Sequence, residues 1–232
     1  MKNSHCKYAL GLSSLRTYTP FPCSAELYSR DAIRKSTRIS NPGCYSTNTQ
    51  LILAPLLPYI KADSQPTIFG VSGYSGAGTK SGNTPKVTPE SLRGGIKPYA
   101  LTDHIHEREA AYHLANLLPQ SSQHDVPFSV GFIPHVAPWF QGIISTASIH
   151  LKDTMRAEDV RKLYEEMYKG ETLLKVQKEI PEVADASGKH GWTVGGFQVH
   201  SSGKRAVVVV SPAFSISLSL CPFLNWDNEC KS

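Results

Sequence analysis

Asn41-Pro42-Gly43-Cys44-Tyr45-Ser46-Thr47-Asn48-Thr49-Gln50, running straight into Leu51-Ile52-Leu53, organises this chain. Pro42 and Gly43 mark a turn in which Gly43 can take a positive φ at little steric cost. The residues that follow are polar and then apolar, the pattern of a loop entering a buried helix. Cys44 then lies at or just before a helix N-terminus, where unpaired N–H groups and the positive end of the dipole favour a thiolate over a thiol. Two uses stay open for it: an activated nucleophile, or a small buried side chain in a tight turn.

The 232 residues are enough to bury the core of one large or two small domains. The net charge of +5 is mild, and the lysines and arginines are scattered without aromatic interleaving, so nucleic acid is not an expected partner. Such a field suits a small anionic substrate. Cys6, Cys23, Cys44, Cys221 and Cys230 form no CxxC pair and no zinc-ligand spacing, so no metal is expected. An odd, unclustered set fits a reducing compartment. No apolar run approaches the ~20 residues of a membrane span, so no membrane partner is expected. The first 20 residues are basic, contain Ser and Thr and lack acids, which is the composition of an organelle transit peptide with poor helical amphipathicity.

Periodicity places the elements. Asp31 to Arg38 forms a short basic helix, and the helix after Cys44 buries Leu51, Ile52, Leu56 and Leu57, with Pro55 kinking or splitting it. Strands are predicted at Thr67–Ser72, Phe128–Pro134, Leu173–Gln177, Val194–His200 and Arg205–Val210. A longer strand over Gly142–Leu151 puts Ile144, Thr146, Ser148 and His150 on one face. His104 to Leu118 forms a helix. Thr154 to Lys169 forms another, with Val160, Leu163, Tyr164 and Met167 at helical spacing and Gly170 at its end. The fold class is α+β: a mixed, largely antiparallel sheet with helices packed on one face. The pattern of the residues marks no firm domain boundary.

Two further stretches bear on chemistry. Gly73-Tyr74-Ser75-Gly76-Ala77-Gly78-Thr79-Lys80-Ser81-Gly82 opens a long loop that runs through Pro98, and loops of that length usually have work to do. It is neither a P-loop, having Thr79-Lys80 after Gly78, nor a GxGxxG fingerprint, having Ser81 at the third glycine. Its small residues let backbone N–H groups converge on an anion, or simply let the loop flex. In Asp103-His104-Ile105-His106-Glu107-Arg108-Glu109 the two histidines diverge by about 200° on a helix, so they are poor joint metal ligands. One histidine aimed at a thiolate is the more economical use, with a solvent-exposed pair as the alternative.

Together these segments resemble N-acetyl-gamma-glutamyl-phosphate reductase of the fungal mitochondrial type. The matching pieces are Asn41 to Tyr45, Ser72 to Gly78, His104 to Glu109, Gly131-Phe132-Ile133-Pro134-His135-Val136-Ala137-Pro138, Gln141-Gly142-Ile143, and Gly188-Lys189-His190 on to Gly195-Gly196. The resemblance implies an NADP-dependent reductive dephosphorylation in arginine biosynthesis, turning an acyl phosphate into a semialdehyde through a cysteine thioester. It makes Cys44 the nucleophile and His104 the acid/base, and places Asn41, Ser75, Gly76, His106 and Glu109 around the substrate. It implies the C-terminal domain of a glyceraldehyde-3-phosphate-dehydrogenase-like enzyme, a homo-oligomer formed through the sheet, and the mitochondrial matrix (otherwise the cytoplasm). It divides the chain into an irregular lead-in over 1–25, a catalytic and dimerisation domain over 26–210, and a divergent tail over 211–232. The family's NADP-binding domain precedes the cysteine, and no GxGxxG stands ahead of Cys44, so a truncated form without the cofactor site, inactive alone, is expected. The alternatives are a cofactor-less subunit that pairs with a full-length reductase, and a Cys/His acyl-phosphate hydrolase, for which the sequence names no third triad member.

Overall fold

The structure, a computed structural model, describes residues 30–31, 33–35, 42–77, 87–118, 128–186 and 190–212. Asn41, the lead-in over 1–25, the loop over 78–86, residues 213–232 and every cysteine but Cys44 lie outside the described residues, as does half of the expected Asp31–Arg38 helix.

Seven strands make one sheet: β1 (Thr67–Gly73), β2 (Lys97–Pro98), β3 (Gly131–Ala137), β4 (Ile143–His150), β5 (Leu174–Val176), β6 (Trp192–Val199) and β7 (Arg205–Pro212), in the order β2-β3-β1-β4-β7-β6-β5. The β1/β3 and β5/β6 pairs are parallel and the other four antiparallel, the mixed and largely antiparallel sheet expected. Among the described residues the bounded helices are α1 (Cys44–Leu53), α2 (Pro89–Leu92), α3 (Ile105–Ala115), α4 (Ala157–Met167) and α5 (Val183–Ala186), and residues 30–31 and 33–34 are also helical.

The pleat separates two faces. Ile68, Ala147 and Val208 stand in register on one, fully buried beneath α1 with Phe132 and Val210. The other carries Ile133, Phe69, Thr146 and Val209 in one cross-strand row, with Phe69 44% exposed. In β4 the alternation holds as expected, with Ile144, Thr146 and Ser148 half-buried and His150 exposed on that second face.

Pro55 ends the α-helical part of the first helix: α1 stops at Leu53 and a 3-10 turn takes over from Ala54 to Tyr59. Proline has no N–H, so the carbonyl of Leu51 loses its i+4 donor. The Tyr168 hydroxyl supplies one at 2.7 Å, and that of Tyr164 donates to the carbonyl of Ile52. Helix α4 thus fastens the back of α1. In α4 itself, Met167 was expected on the buried stripe but is 47% exposed; Tyr168, just past the helix end, takes the buried place. Strand β7 runs through Pro212, two residues past the expected domain limit.

Candidate active site

Cys44 is the first residue of α1, and Gly43 is its N-cap. No side chain caps this N-terminus and no acid sits in its first turn. The cysteine is half-buried. Gly43 has φ −63°, so it is not glycine for the sake of a positive φ as the sequence suggested. It is glycine because a Cβ there would fall 1.9 Å from His106 Cε1 and 2.4 Å from Nδ1. The imidazole edge lies flat on the turn that carries the nucleophile.

Helix α3 delivers that ring. Glu109, one turn after His106, is 5% exposed and has both carboxylate oxygens engaged. Oε2 bonds His106 Nδ1 at 2.9 Å, and Oε1 accepts the Gly43 N–H at 3.0 Å. One carboxylate therefore holds both the histidine and the turn preceding the cysteine. With Nδ1 committed, Nε2 is left for the sulfur. Burial alone would push the His106 imidazole down. Its hydrogen bonds to Cys44 and Glu109, with the charges of both, outweigh burial and raise it to about 9. At neutral pH an imidazolium faces the sulfur.

His104, expected as the acid/base, is the N-cap of α3, with Nδ1 accepting the His106 N–H at 3.3 Å. Its ring packs edge-on against Phe132 and Tyr99 and lies 4.9 Å from the His106 ring. Burial, and then the neighbouring His106 charge, push it down to about 4. The hydrogen bond with the Cys44 sulfur is made by His106. The residue before His104, Asp103, sits at φ +58°, with its carbonyl tied to Arg108 Nη2 at 3.3 Å.

Tyr45 forms the floor. Its ring lies 4.7 Å from that of Phe132, and a Cβ at Gly70 would come 2.3 Å from its Cε1. Burial pushes the phenol up, opposed by a hydrogen bond with Ser72. One helical turn behind Cys44, the side chain of the fully buried Asn48 donates to Ser145 Oγ at 3.2 Å and accepts from Trp192 Nε1 at 3.1 Å, tying α1 to β4 and β6. Ser75 and Gly76, expected to face the substrate, lie in a 3-10 turn after β1, where the Ser75 N–H donates to the Phe140 carbonyl. Glu109, expected at the substrate, instead stands behind His106. Its i, i+3 spacing from His106 was the available signal. Tyr99 was missed: burial first, and then the Cys44 charge, push its phenol up to about 12, so it belongs to the wall of the site. A groove of about 1430 Å³ beside α3, lined by Leu57, Arg108, Tyr112 and Met167, does not include Cys44.

The family profile described as "Semialdehyde dehydrogenase, dimerisation domain" matches residues 44–212, beginning on the cysteine itself. The chain belongs to the semialdehyde dehydrogenase dimerisation-domain family. Among its relatives, "Protein arg11, mitochondrial" of Schizosaccharomyces pombe is 52% identical over 80% of this chain and 19% of its own length. "N-acetyl-gamma-glutamyl-phosphate reductase" of Xanthomonas axonopodis pv. citri is 44% identical over 75% of this chain and 50% of its own length. The chain thus spans about a fifth of the fungal relative and half of the bacterial one. The resemblance drawn from the motifs is borne out by these names. Aspartate semialdehyde dehydrogenase II of Vibrio cholerae superimposes with a TM-score of 0.60 at 15% identity, covering 83% of this chain and 62% of that one, a likeness of fold.

No strand, glycine turn and helix N-terminus combine in the dinucleotide-binding manner among the described residues. The glycine-rich stretch after β1 enters the 3-10 turn Tyr74–Ala77 instead. The described residues do not fit an NADP molecule.

Proposed function

We propose that this chain performs the acyl-transfer step of N-acetyl-gamma-glutamyl-phosphate reduction, on the substrate that the name of the bacterial relatives prints. The observation that carries it is the row Cys44, His106, Glu109 at the uncapped start of α1. The Cys44 thiolate attacks the acyl carbon and forms a C–S bond. The C–O bond to phosphate breaks, phosphate leaves with the electron pair, and the acyl group remains as a thioester. His106 Nε2–H faces the place where the carbonyl oxygen gathers charge, and the open N–H groups of α1 add the positive end of the helix dipole. Glu109 fixes the tautomer from behind, and Cys44 acts with His106 rather than with His104. Gly76, where a Cβ would lie 3.5 Å from Ser72 Oγ, and Ser75 beside it line the substrate side.

The half-exposed sheet face around Phe69, Val71, Ile133 and Ile144 supports assembly with a second copy, in keeping with the family's description as a dimerisation domain. The names of the fungal relatives support the mitochondrion as the compartment.

The test uses acetyl phosphate as the acyl donor, with an acid quench and mass analysis of the peptide containing Cys44. An acetyl adduct on Cys44 that Cys44→Ser removes is expected; acetylation elsewhere or none at all contradicts the proposal. Phe69→Asp should shift the sedimentation coefficient toward a monomer.

A further inference from the structure

We propose that the Cys44–His106–Glu109 row also hydrolyses its own thioester, giving the chain a nucleotide-independent acyl-phosphate hydrolase activity that rests on the acyl-transfer step above. The sequence lacked a third triad member; the structure supplies one in Glu109. Its Oε2 holds His106 Nδ1 at 2.9 Å, and its Oε1 is engaged by the Gly43 N–H at 3.0 Å, so neither the carboxylate nor the ring is free to rotate away. That is the orienting arrangement of a nucleophile, base and carboxylate triad, recognised by roles and geometry.

Acylation itself arms the base. Two of the influences that keep His106 protonated, its hydrogen bond with the sulfur and the charge there, come from Cys44. Once sulfur carries an acyl group both are gone and burial acts against the charge, while Glu109 still holds Nδ1–H; the ring passes its Nε2 proton to the departing phosphate and becomes an acceptor there. His104 is the poorer base for this role, because burial and the His106 charge lower its affinity for a proton and its Nδ1 is occupied as the cap of α3.

The step balances with water as the only co-reactant. Neutral His106 Nε2 accepts a proton from water as the water oxygen bonds the acyl carbon. The C–S bond then breaks, and the electron pair returns to sulfur as thiolate beside the re-formed imidazolium. The products are a carboxylic acid and the phosphate released earlier. Cys44 is half-buried rather than sealed, so water has access.

The experiment incubates the 232-residue chain with acetyl phosphate in the absence of any nucleotide. It follows inorganic phosphate with time and the acetyl content of Cys44 in acid-quenched samples. Release above the uncatalysed rate and well beyond one equivalent, abolished in Cys44→Ser, is expected. His106→Asn should keep an acetyl-Cys44 adduct while turnover falls about 10²-fold, the lower range for a lost general base. Glu109 is a positioning residue here, so Glu109→Gln should lower turnover and shift its pH profile, and Glu109→Asp, which keeps the charge, should lower it less and leave the profile in place. An adduct accompanied by a single equivalent of phosphate overturns hydrolysis and leaves acyl transfer standing. Neither adduct nor release overturns both. Turnover unaffected by His106→Asn overturns the role given to the ring.

Discussion

Helices α1 and α4 pack at the same sheet, yet they begin in opposite ways. Helix α4 starts at an exposed N-terminus closed by side chains: Glu158 and Asp159 occupy its first turn, and Asp159 Oδ2 accepts the Arg156 N–H at 3.2 Å. Helix α1 starts on Gly43 with no acid in its own first turn and no cap from its own side chains, only Glu109 of α3 taking the Gly43 N–H from outside, although every residue from Asn48 to Leu53 is buried. A helix with only a structural task fills its orphan N–H positions, since a cap contributes about 1 kcal/mol. A helix that leaves them open at a cysteine keeps its dipole for a charge that arrives later, on the sulfur or the substrate. The stability forgone at the front of α1 is offset at its back, where Tyr164 and Tyr168 hold its last carbonyls.

Gly43→Ala should break this contrast most severely. The new Cβ occupies the space of the His106 ring, so Cys44 alkylation at pH 7 should slow by more than about tenfold, on the scale of losing a positioned proton partner, and the melting temperature should fall with it. Unchanged alkylation would mean that the ring is not seated on the turn. Glu109→Ala comes next. It strands the buried Gly43 N–H and frees His106, a loss of about 1–3 kcal/mol in denaturant unfolding, with slower alkylation as well.

The pH dependence of stability is a smaller effect with a definite sign. His106 is raised from 6.5 to about 9 in the folded state, so its contribution is complete below 6.5 and is lost as pH rises toward 9. His104 is lowered from 6.5 to about 4, so the unfolded chain binds its proton more readily and stability falls as pH drops from 6.5 toward 4. The pair thus peaks near pH 6.5; His106→Asn should flatten the alkaline limb and His104→Asn the acid one in melting curves. Least of all, Asp159→Ala should lower the melting temperature slightly and leave Cys44 alkylation unchanged, because the closed helix has no part in the chemistry.

Much of this was legible in the residues. The period-2 pattern of Ile144, Thr146, Ser148 and His150 fixed the faces of β4, and Pro55 marked where α1 gives way to 3-10 geometry. What was hidden depended on one-residue boundaries and on distance in space. Taking α3 to start at His104 rather than Ile105 hides that His104 is a cap outside the helix, and so which of two like residues meets the sulfur. The Gly43 contact joins residues 63 positions apart, and no local pattern announces it. Helix α2 and strand β2 were passed over as loop because four and two residues are too few to show a period, although Thr88 and Ser91 exchange the hydrogen bonds of a capping box.

The central claim is that His106, and not His104, is the partner of Cys44. It is tested most directly by measuring iodoacetamide alkylation of Cys44 at pH 7, read on its own peptide by mass spectrometry, in His104→Asn and His106→Asn side by side. Asparagine is a good N-cap, so the first variant keeps the start of α3 intact. The account predicts a near-normal rate in His104→Asn and a rate down by about tenfold or more in His106→Asn. The reverse order would contradict it.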